Sequence, residues 1–283
     1  MTRFAVLLGL PSEPPLAAVA SALHALGAPF RVLNQRELLG ASIATTWDHG
    51  HSRATIDYGD RQLALDDVSG VYTRLTSFGV LPELIAEPAL WPNAQRLHSA
   101  LEAWLETTPA CVINRTTAND SNNSKPYQSL IIREYFDVPA TLVTNEASAV
   151  HEFRREVGDV IYKSSSGERS IVTKLGDADL QRLDRLATVP VQFQELVAGR
   201  DVRVHVVGTE LFAVAITSAA VDYRYDRSGR VDMRPLQLSS ELSARCIALT
   251  ERLGLTLAGI DLRFADDGRV VCFEVNPSPA FSV

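Results

Sequence analysis

Two acids near the C-terminus, Asp261 and Glu274, lie in runs that alternate apolar and polar residues: Gly259-Ile260-Asp261-Leu262-Arg263-Phe264 and Val270-Val271-Cys272-Phe273-Glu274-Val275-Asn276-Pro277. Alternation of this kind marks half-buried strands, and Asp267-Gly268 between the runs is a hairpin signal. With Asp267-Gly268 as a two-residue loop, Asp266 faces Arg269 and Asp261 lies opposite Glu274. Ile260, Leu262, Phe264, Val271, Phe273 and Val275 then share the core face, while Asp261, Glu274 and Asn276 share the other. Carboxylates directly across two strands have Cβ atoms about 5 Å apart and repel, so positive charge is required beside them. A hard dication fits, because Mg²⁺ takes one or two carboxylates together with substrate phosphates. The alternative is a solvated hairpin face neutralised by Arg263, which points the same way.

Further chemistry-bearing stretches lie upstream. Lys125 opens one helical pattern, and Lys163 ends the strand Val160-Ile161-Tyr162-Lys163. The loop Ser164-Ser165-Ser166-Gly167-Glu168-Arg169-Ser170 follows, rich in backbone N–H donors that suit a flap over phosphates, without the lysine spacing of a P-loop. Gly199-Arg200-Asp201-Val202-Arg203 begins an alternating run that sets Asp201, Arg203 and His205 on one face and Val202, Val204 and Val206 on the other. His49 and His51 have no third ligand nearby and read as an exposed hairpin tip rather than a metal site. Arg74, at a strand end, is a weaker substrate-contact candidate.

The elements that must position these groups follow from periodicity. Phe4 to Leu8 is a buried strand, Leu16 to Leu26 has helical spacing and stops at Gly27, and Phe30 to Leu33 is a second strand. Strand, helix and strand with short joins imply a parallel βαβ unit. Its first turn, Gly9-Leu10-Pro11-Ser12, is not a dinucleotide fingerprint. Short strands are expected over 43–65 and at 71–74, helix with proline breaks over 81–105, and a strand at 111–113. The polar stretch 119–124 is a boundary. Beyond it come a helix from Lys125, a strand at 141–143, a helix over 147–155, the strands flanking the flap, and the run Val191 to Val197. A partner strand over 211–217, a polar segment Val221-Asp222-Tyr223-Arg224, and a helix begun by Ser239 or Ser240 lead back to the final hairpin.

Composition narrows the class. A chain of 283 residues with 46% hydrophobic and 22% charged residues is typical of globular proteins and long enough for two or three small domains. The net charge of −7, with no basic run, disfavours nucleic acid as a partner. No apolar run approaches membrane-spanning length. Cys111, Cys246 and Cys272 lie in apolar segments at no metal-ligand spacing, and read as buried thiols of a reducing, cytoplasmic compartment.

Taken together, the two lysines, the Ser/Gly flap, Gly199-Arg200-Asp201-Val202-Arg203, and Gly259-Ile260-Asp261 followed by Glu274-Val275-Asn276-Pro277-Ser278-Pro279 resemble the ATP-grasp superfamily. The similarity is to its RimK-type branch of carboxylate–amine ligases, whose plan the microviridin-type (graspetide) peptide ligases share. It covers residues from ~115 to the end by motif order. The resemblance implies an α/β (α+β) fold. A substrate-recognising pre-ATP-grasp α/β domain would span 1–115, an ATP-grasp small subdomain 116–195 with the flap at 164–170, and a C-terminal subdomain 196–283 with the metal site. ATP would lie between two antiparallel sheets. At matching positions Lys125, Lys163, Ser166 and Gly167 would meet the phosphates. Gln194, Glu195 and Val197 would form the adenine-facing hinge, with Asp201 near the nucleotide. Arg203 and Arg224 would hold the transferred phosphoryl group and the acyl phosphate, and Asp261, Glu274 and Asn276 would bind Mg²⁺ or Mn²⁺. The implied reaction activates a carboxylate as an acyl phosphate and joins it to an amine or hydroxyl, on a peptide or on free amino acids. A catalytically idle nucleotide-binding regulator is the rival class, against which the facing acids argue. Relatives usually continue into a further helix past the Asn276 motif, so the edge of the site would come from residues beyond Val283 or from a partner chain in a homo-oligomer.

Overall fold

Val6, Leu7 and Leu8 are all inaccessible to solvent, because the strand that carries them is covered on both faces. The computed structural model describes residues 3–48, 51–120, 124–164, 172–218 and 231–281. They form two compact units: Met1–Asn119 with Leu255–Leu257 and Ser278–Val283, and Asp120–Gly254 with Ala258–Pro277.

In chain order the first unit holds β1 (Phe4–Gly9), α1 (Pro14–Ala25), β2 (Phe30–Asn34), β3 (Ser42–Asp48), β4 (His51–Tyr58), β5 (Arg61–Ala64), β6 (Val68–Arg74), α2 (Pro82–Ala86), α3 (Trp91–Thr107), β7 (Cys111–Ile113) and α4 (Thr116–Asn119). The order β2-β1-β6-β7 makes a parallel sheet, and β3-β4-β5 an antiparallel one. Val6 and Leu8 of β1 pack with Leu97, Leu101 and Trp104 of α3 and Ile56 of β4. Leu7 packs on the opposite face with Leu16, Val19 and Leu23 of α1. Burial on both faces is why β1 reads as an unbroken apolar run. Cys111 departs from expectation: it is exposed, because β7 is an edge strand of the sheet. Arg74 is engaged within the unit, donating from Nε to Glu13 Oε1 at 2.6 Å and from Nη1 to Ser278 Oγ at 2.9 Å and the Pro279 carbonyl at 3.2 Å.

The second unit holds α5 (Lys125–Ile132), β8 (Thr141–Thr144), α6 (Ala147–Val157), β9 (Val160–Ser164), β10 (Thr173–Lys174), α7 (Asp177–Leu180), β11 (Val191–Glu195), β12 (Gly199–Val207), β13 (Glu210–Thr217), β14 (Asp232–Leu236), α8 (Ser240–Arg252), β15 (Leu257–Ala265) and β16 (Val270–Asn276). One sheet, antiparallel, has the order β10-β9-β11-β8; the other has five strands, β14-β13-β12-β15-β16. In the smaller sheet Val160 and Phe193 pack with Val150 of α6. Lys163 and Gln192 are register partners, as are Ile161 and Gln194, so these four share the face turned away from α6. In the larger sheet Val202, Val204 and Val206 are buried, as the alternation predicts. Cys246 and Leu249 of α8, which packs on β12, are fully buried too. Ser239 caps α8, its Oγ accepting from the Leu242 N–H at 3.2 Å.

The final hairpin reaches the expected Asp261–Glu274 pairing by a different route. The loop is three residues, not two: the Ala265 N–H donates to the Arg269 carbonyl, the Gly268 N–H donates to the Ala265 carbonyl, and Gly268 sits at φ +91°. That geometry is a turn closed by a left-handed glycine. It moves the pairs next to the turn by one, to Phe264↔Val270, Arg263↔Val271 and Leu262↔Cys272. A bulge between Cys272 and Glu274 then restores Asp261↔Glu274, Ile260↔Val275 and Gly259↔Asn276. The core-face expectation is therefore corrected at two positions. Cys272, fully buried, takes the place expected of Phe273, and Val271, though inaccessible, pairs with Arg263. Phe273 is half-buried with the Arg263 guanidinium 5.1 Å from its ring centroid.

Candidate active site

The site face of the five-stranded sheet gathers charge from four elements, β12, β15, β16 and α5. Asp261 on β15 faces Glu274 on β16, with Asn276 two residues on and paired with Gly259. Each acid meets a cation. Arg203 Nη1 of β12 is ion-paired to Asp261 Oδ1, and Lys125 Nζ, in the first turn of α5, lies 2.9 Å from Glu274 Oε2. The side chains are 15% and 27% exposed in the first pair and 27% and 26% in the second. The face is therefore sheltered rather than fully solvated. Arg263 is engaged with Asp201 and the backbone: its Nη2 lies 2.6 Å from Asp201 Oδ1 and its Nη1 donates to the Val197 carbonyl at 2.8 Å.

Lys125 is held by local structure. Ser124 caps α5, its Oγ accepting from the Tyr127 N–H at 3.4 Å, and Pro126 sits in the first turn. One turn on, the buried Gln128 donates from Nε2 to the Val275 carbonyl at 2.8 Å and accepts at Oε1 from the Val275 N–H at 3.0 Å. Beyond its i, i+3 spacing from Lys125, no sequence signal marks this clamp.

The segment joining β11 to β12 is braced by the hairpin. Glu195 accepts from Arg269 Nη2 at 2.7 Å and, at Oε2, from the Ala140 N–H at 3.1 Å. The Asp266 N–H donates to the Ala198 carbonyl at 3.1 Å. Val197 is buried, and Gln194, also buried, donates to Thr141 Oγ1 at 3.0 Å. Gly199 begins β12 at φ +146°, where a Cβ would lie 2.3 Å from the Phe264 carbonyl oxygen. Only glycine lets the start of β12 approach the neighbouring strand this closely.

The structure thus brings together Lys125, Arg203, Asp261, Glu274 and Asn276. Glu195 and Val197 lie at the braced segment between β11 and β12, Asp201 just beyond it in β12, and Lys163 and Gln194 on one face of the smaller sheet. Ser166, Gly167 and Arg224 lie outside the described residues, as do His49 and most of the flap.

The donors facing one another are all oxygens, two carboxylates and an amide, which suits Mg²⁺ or Mn²⁺. The thiol of Cys272, a soft ligand, belongs to the buried side of the hairpin. Among the described residues no group of three His, Cys, Asp or Glu could hold a metal by itself. A dication here would complete its shell with phosphate oxygens and water.

Over residues 121–283 the chain matches the family described as the RimK-like ATP-grasp domain. Among solved structures it is similar to the macrocyclase MdnC of Microcystis aeruginosa MRC, bound with the precursor peptide MdnA: 22% identity over 98% of this chain and 93% of that one, at a TM-score of 0.78. With the ATP-grasp ligase PsnB, complexed with precursor peptide PsnA2 and AMPPNP, it shares 29% identity over 98% of this chain and 90% of that one, at a TM-score of 0.76. The D-alanyl-alanine synthetase A of Vibrio cholerae shares the fold at 12% identity and a TM-score of 0.61, over 100% and 91% of the two chains. No curated protein is significantly similar. Among the described residues no helix is long and apolar enough to cross a membrane.

Proposed function

The chain belongs to the RimK-like ATP-grasp family and is an ATP-dependent ligase that joins a carboxylate to an amine or hydroxyl; on that premise we propose that its substrate is a peptide, both partners of the new bond being side chains. The peptide-bound relatives, similar over nearly the whole chain, support this choice over free amino acids.

In the proposed reaction a carboxylate oxygen attacks the γ-phosphorus of ATP, and ADP leaves with the electron pair of the broken bond. The amine or hydroxyl then attacks the carbonyl carbon of the acyl phosphate. Inorganic phosphate departs, and the nucleophile's proton passes to solvent or phosphate. Such chemistry needs positioning and charge stabilisation more than a protein nucleophile. Lys125 and Lys163 would meet phosphate oxygens, with Ser166 and Gly167 of the flap above them. Gln194, Glu195 and Val197 would border the adenine, and Asp201 would hold the hinge through Arg263. Arg203 and Arg224 would grip the transferred group, since a planar guanidinium matches phosphate and carboxylate in bidentate fashion. Asp261, Glu274 and Asn276 would hold Mg²⁺ or Mn²⁺, which neutralises charge on the phosphate oxygens. As nucleotide and metal enter, the Lys125–Glu274 and Arg203–Asp261 pairs would exchange partners, the cations turning to phosphate and the acids to metal.

The observation that carries the ligase chemistry is the pair of acids directly across the hairpin, each matched to a cation. Incubation with ATP, Mg²⁺ and peptides carrying Asp, Glu, Lys, Ser and Thr tests it. ADP should form in step with the loss of one water from the peptide's mass for each side-chain amide or ester bond made. ADP formation stimulated only by free amino acids would overturn the peptide assignment.

A further inference from the structure

We propose that Gln128 is a positioning residue for the metal–nucleotide face, acting through the backbone of Val275. The inference rests on the reading above, in which Glu274 and Asn276 are metal ligands.

Val275 is the residue between them, and β16 is an edge strand of its sheet. An edge strand leaves every second residue's N–H and C=O unpaired by its neighbour. At Val275 those groups point away from β15 into the buried interior: Val275 is 0% and Gln128 1% exposed. The Gln128 amide meets both, at 2.8 and 3.0 Å, as a further strand would. Next along the same edge, the Cys272 N–H donates to the Asp137 carbonyl at 2.8 Å. The outer edge of β16 is thus tied down on either side of Glu274.

The consequence reaches the site through rigid geometry. Lys125 and Gln128 lie one helical turn apart on α5 and both reach β16, Lys125 to the Glu274 side chain and Gln128 to the next peptide. A two-bond amide clamp fixes both the height and the twist of β16 against α5. Glu274 and Asn276 project from the residues on either side of that clamped unit, so their origins are fixed with it. Partners that orient metal ligands typically contribute 10–100-fold in metal affinity, and Gln128 would do so without touching the metal.

The test compares Mn²⁺ binding in the presence of ADP, read by loss of the free-ion electron paramagnetic resonance signal, with steady-state kinetics. Gln128→Met keeps length and volume and removes both hydrogen bonds. Gln128→Asn keeps the amide on a stem too short for both bonds, and serves if the methionine variant does not fold. Val150→Ala, a cavity in the core beneath the smaller sheet, controls for lost stability alone. Either Gln128 variant should bind Mn²⁺–ADP about 10-fold or more weakly, with a raised KM for ATP and an unchanged KM for peptide, while Val150→Ala binds as wild type. A folded Gln128 variant that binds Mn²⁺ within about twofold of wild type would overturn the proposal. Glu274→Gln separates the two levels. If it weakens Mn²⁺ binding and the Gln128 variants do not, positioning fails alone; if Glu274→Gln has no effect, the metal-site reading itself is wrong.

Discussion

Asp261 and Glu274 would repel across the hairpin if left alone, and Arg203 and Lys125 offset that repulsion. Exposed ion pairs contribute little to stability, but these are sheltered, and removing one partner leaves a partly desolvated charge. Arg203→Ala should therefore lower turnover by roughly 100-fold or more while nucleotide still binds. Arg203→Lys should not restore it, because a point charge cannot reproduce the planar fork. Steady-state ADP release beside a nucleotide titration checks both. Combined loss of binding and of melting temperature would make Arg203 structural instead. The cysteines give a second prediction at this scale. Burial pushes the Cys246 thiol up to about 12 and the Cys272 thiol well above its usual value, whereas Cys111 is exposed. Iodoacetamide at neutral pH should label Cys111 alone in the folded chain, because the thiolate is the reactive form. A thiol raised in the folded state favours folding below its ordinary value near 9 and loses that contribution as pH rises toward about 12. Melting temperature should therefore fall as pH climbs above 9, and a flat profile would contradict the burial of Cys246.

The elements explain why these side chains meet. β12 starts against β15 at Gly199, whose positive φ and contact with the Phe264 carbonyl leave no room for a Cβ. Gly199→Ala should cost about 3 kcal/mol or more, strain and displaced backbone together. Urea unfolding measures that loss, and a change within about 0.5 kcal/mol would mean β12 shifts freely. Much of this was legible in advance. The alternations in 199–207 and 259–264 gave strands with the observed faces, and the Asp261–Glu274 pairing came out as counted because the extra loop residue and the bulge cancel. The inner register did not, for a physical reason. Val270-Val271-Cys272-Phe273 is apolar throughout, so no alternation marks where a bulge falls, and Asp266-Asp267-Gly268 serves a three-residue loop as well as Asp-Gly serves a two-residue one. The Gln128 clamp was equally hidden, since a lone glutamine on a helix carries no pattern. Cys111 misled because a short apolar run looks the same in a central strand as at an edge.

At the scale of the whole chain, the order of segments differs from the order of the units. The first unit takes back Leu255–Leu257 and Ser278–Val283, the two stretches that flank the final hairpin. Within that unit Asn114 binds the first stretch, accepting from the Thr256 and Leu257 N–H groups at 2.8 and 3.0 Å, and Arg74 binds the second through Ser278 and Pro279. Arg74 thus has a structural duty that its place at a strand end did not reveal. The hairpin between these anchors carries the acids on which the ligase reading depends, so the metal dependence of nucleotide binding is the most direct probe. Isothermal titration of AMPPNP into wild type and into an Asp261→Asn, Glu274→Gln double variant, with and without Mg²⁺, makes the comparison. The account predicts that Mg²⁺ tightens binding to wild type by about 10-fold or more and leaves the variant unchanged. An equal Mg²⁺ effect in both proteins would contradict it.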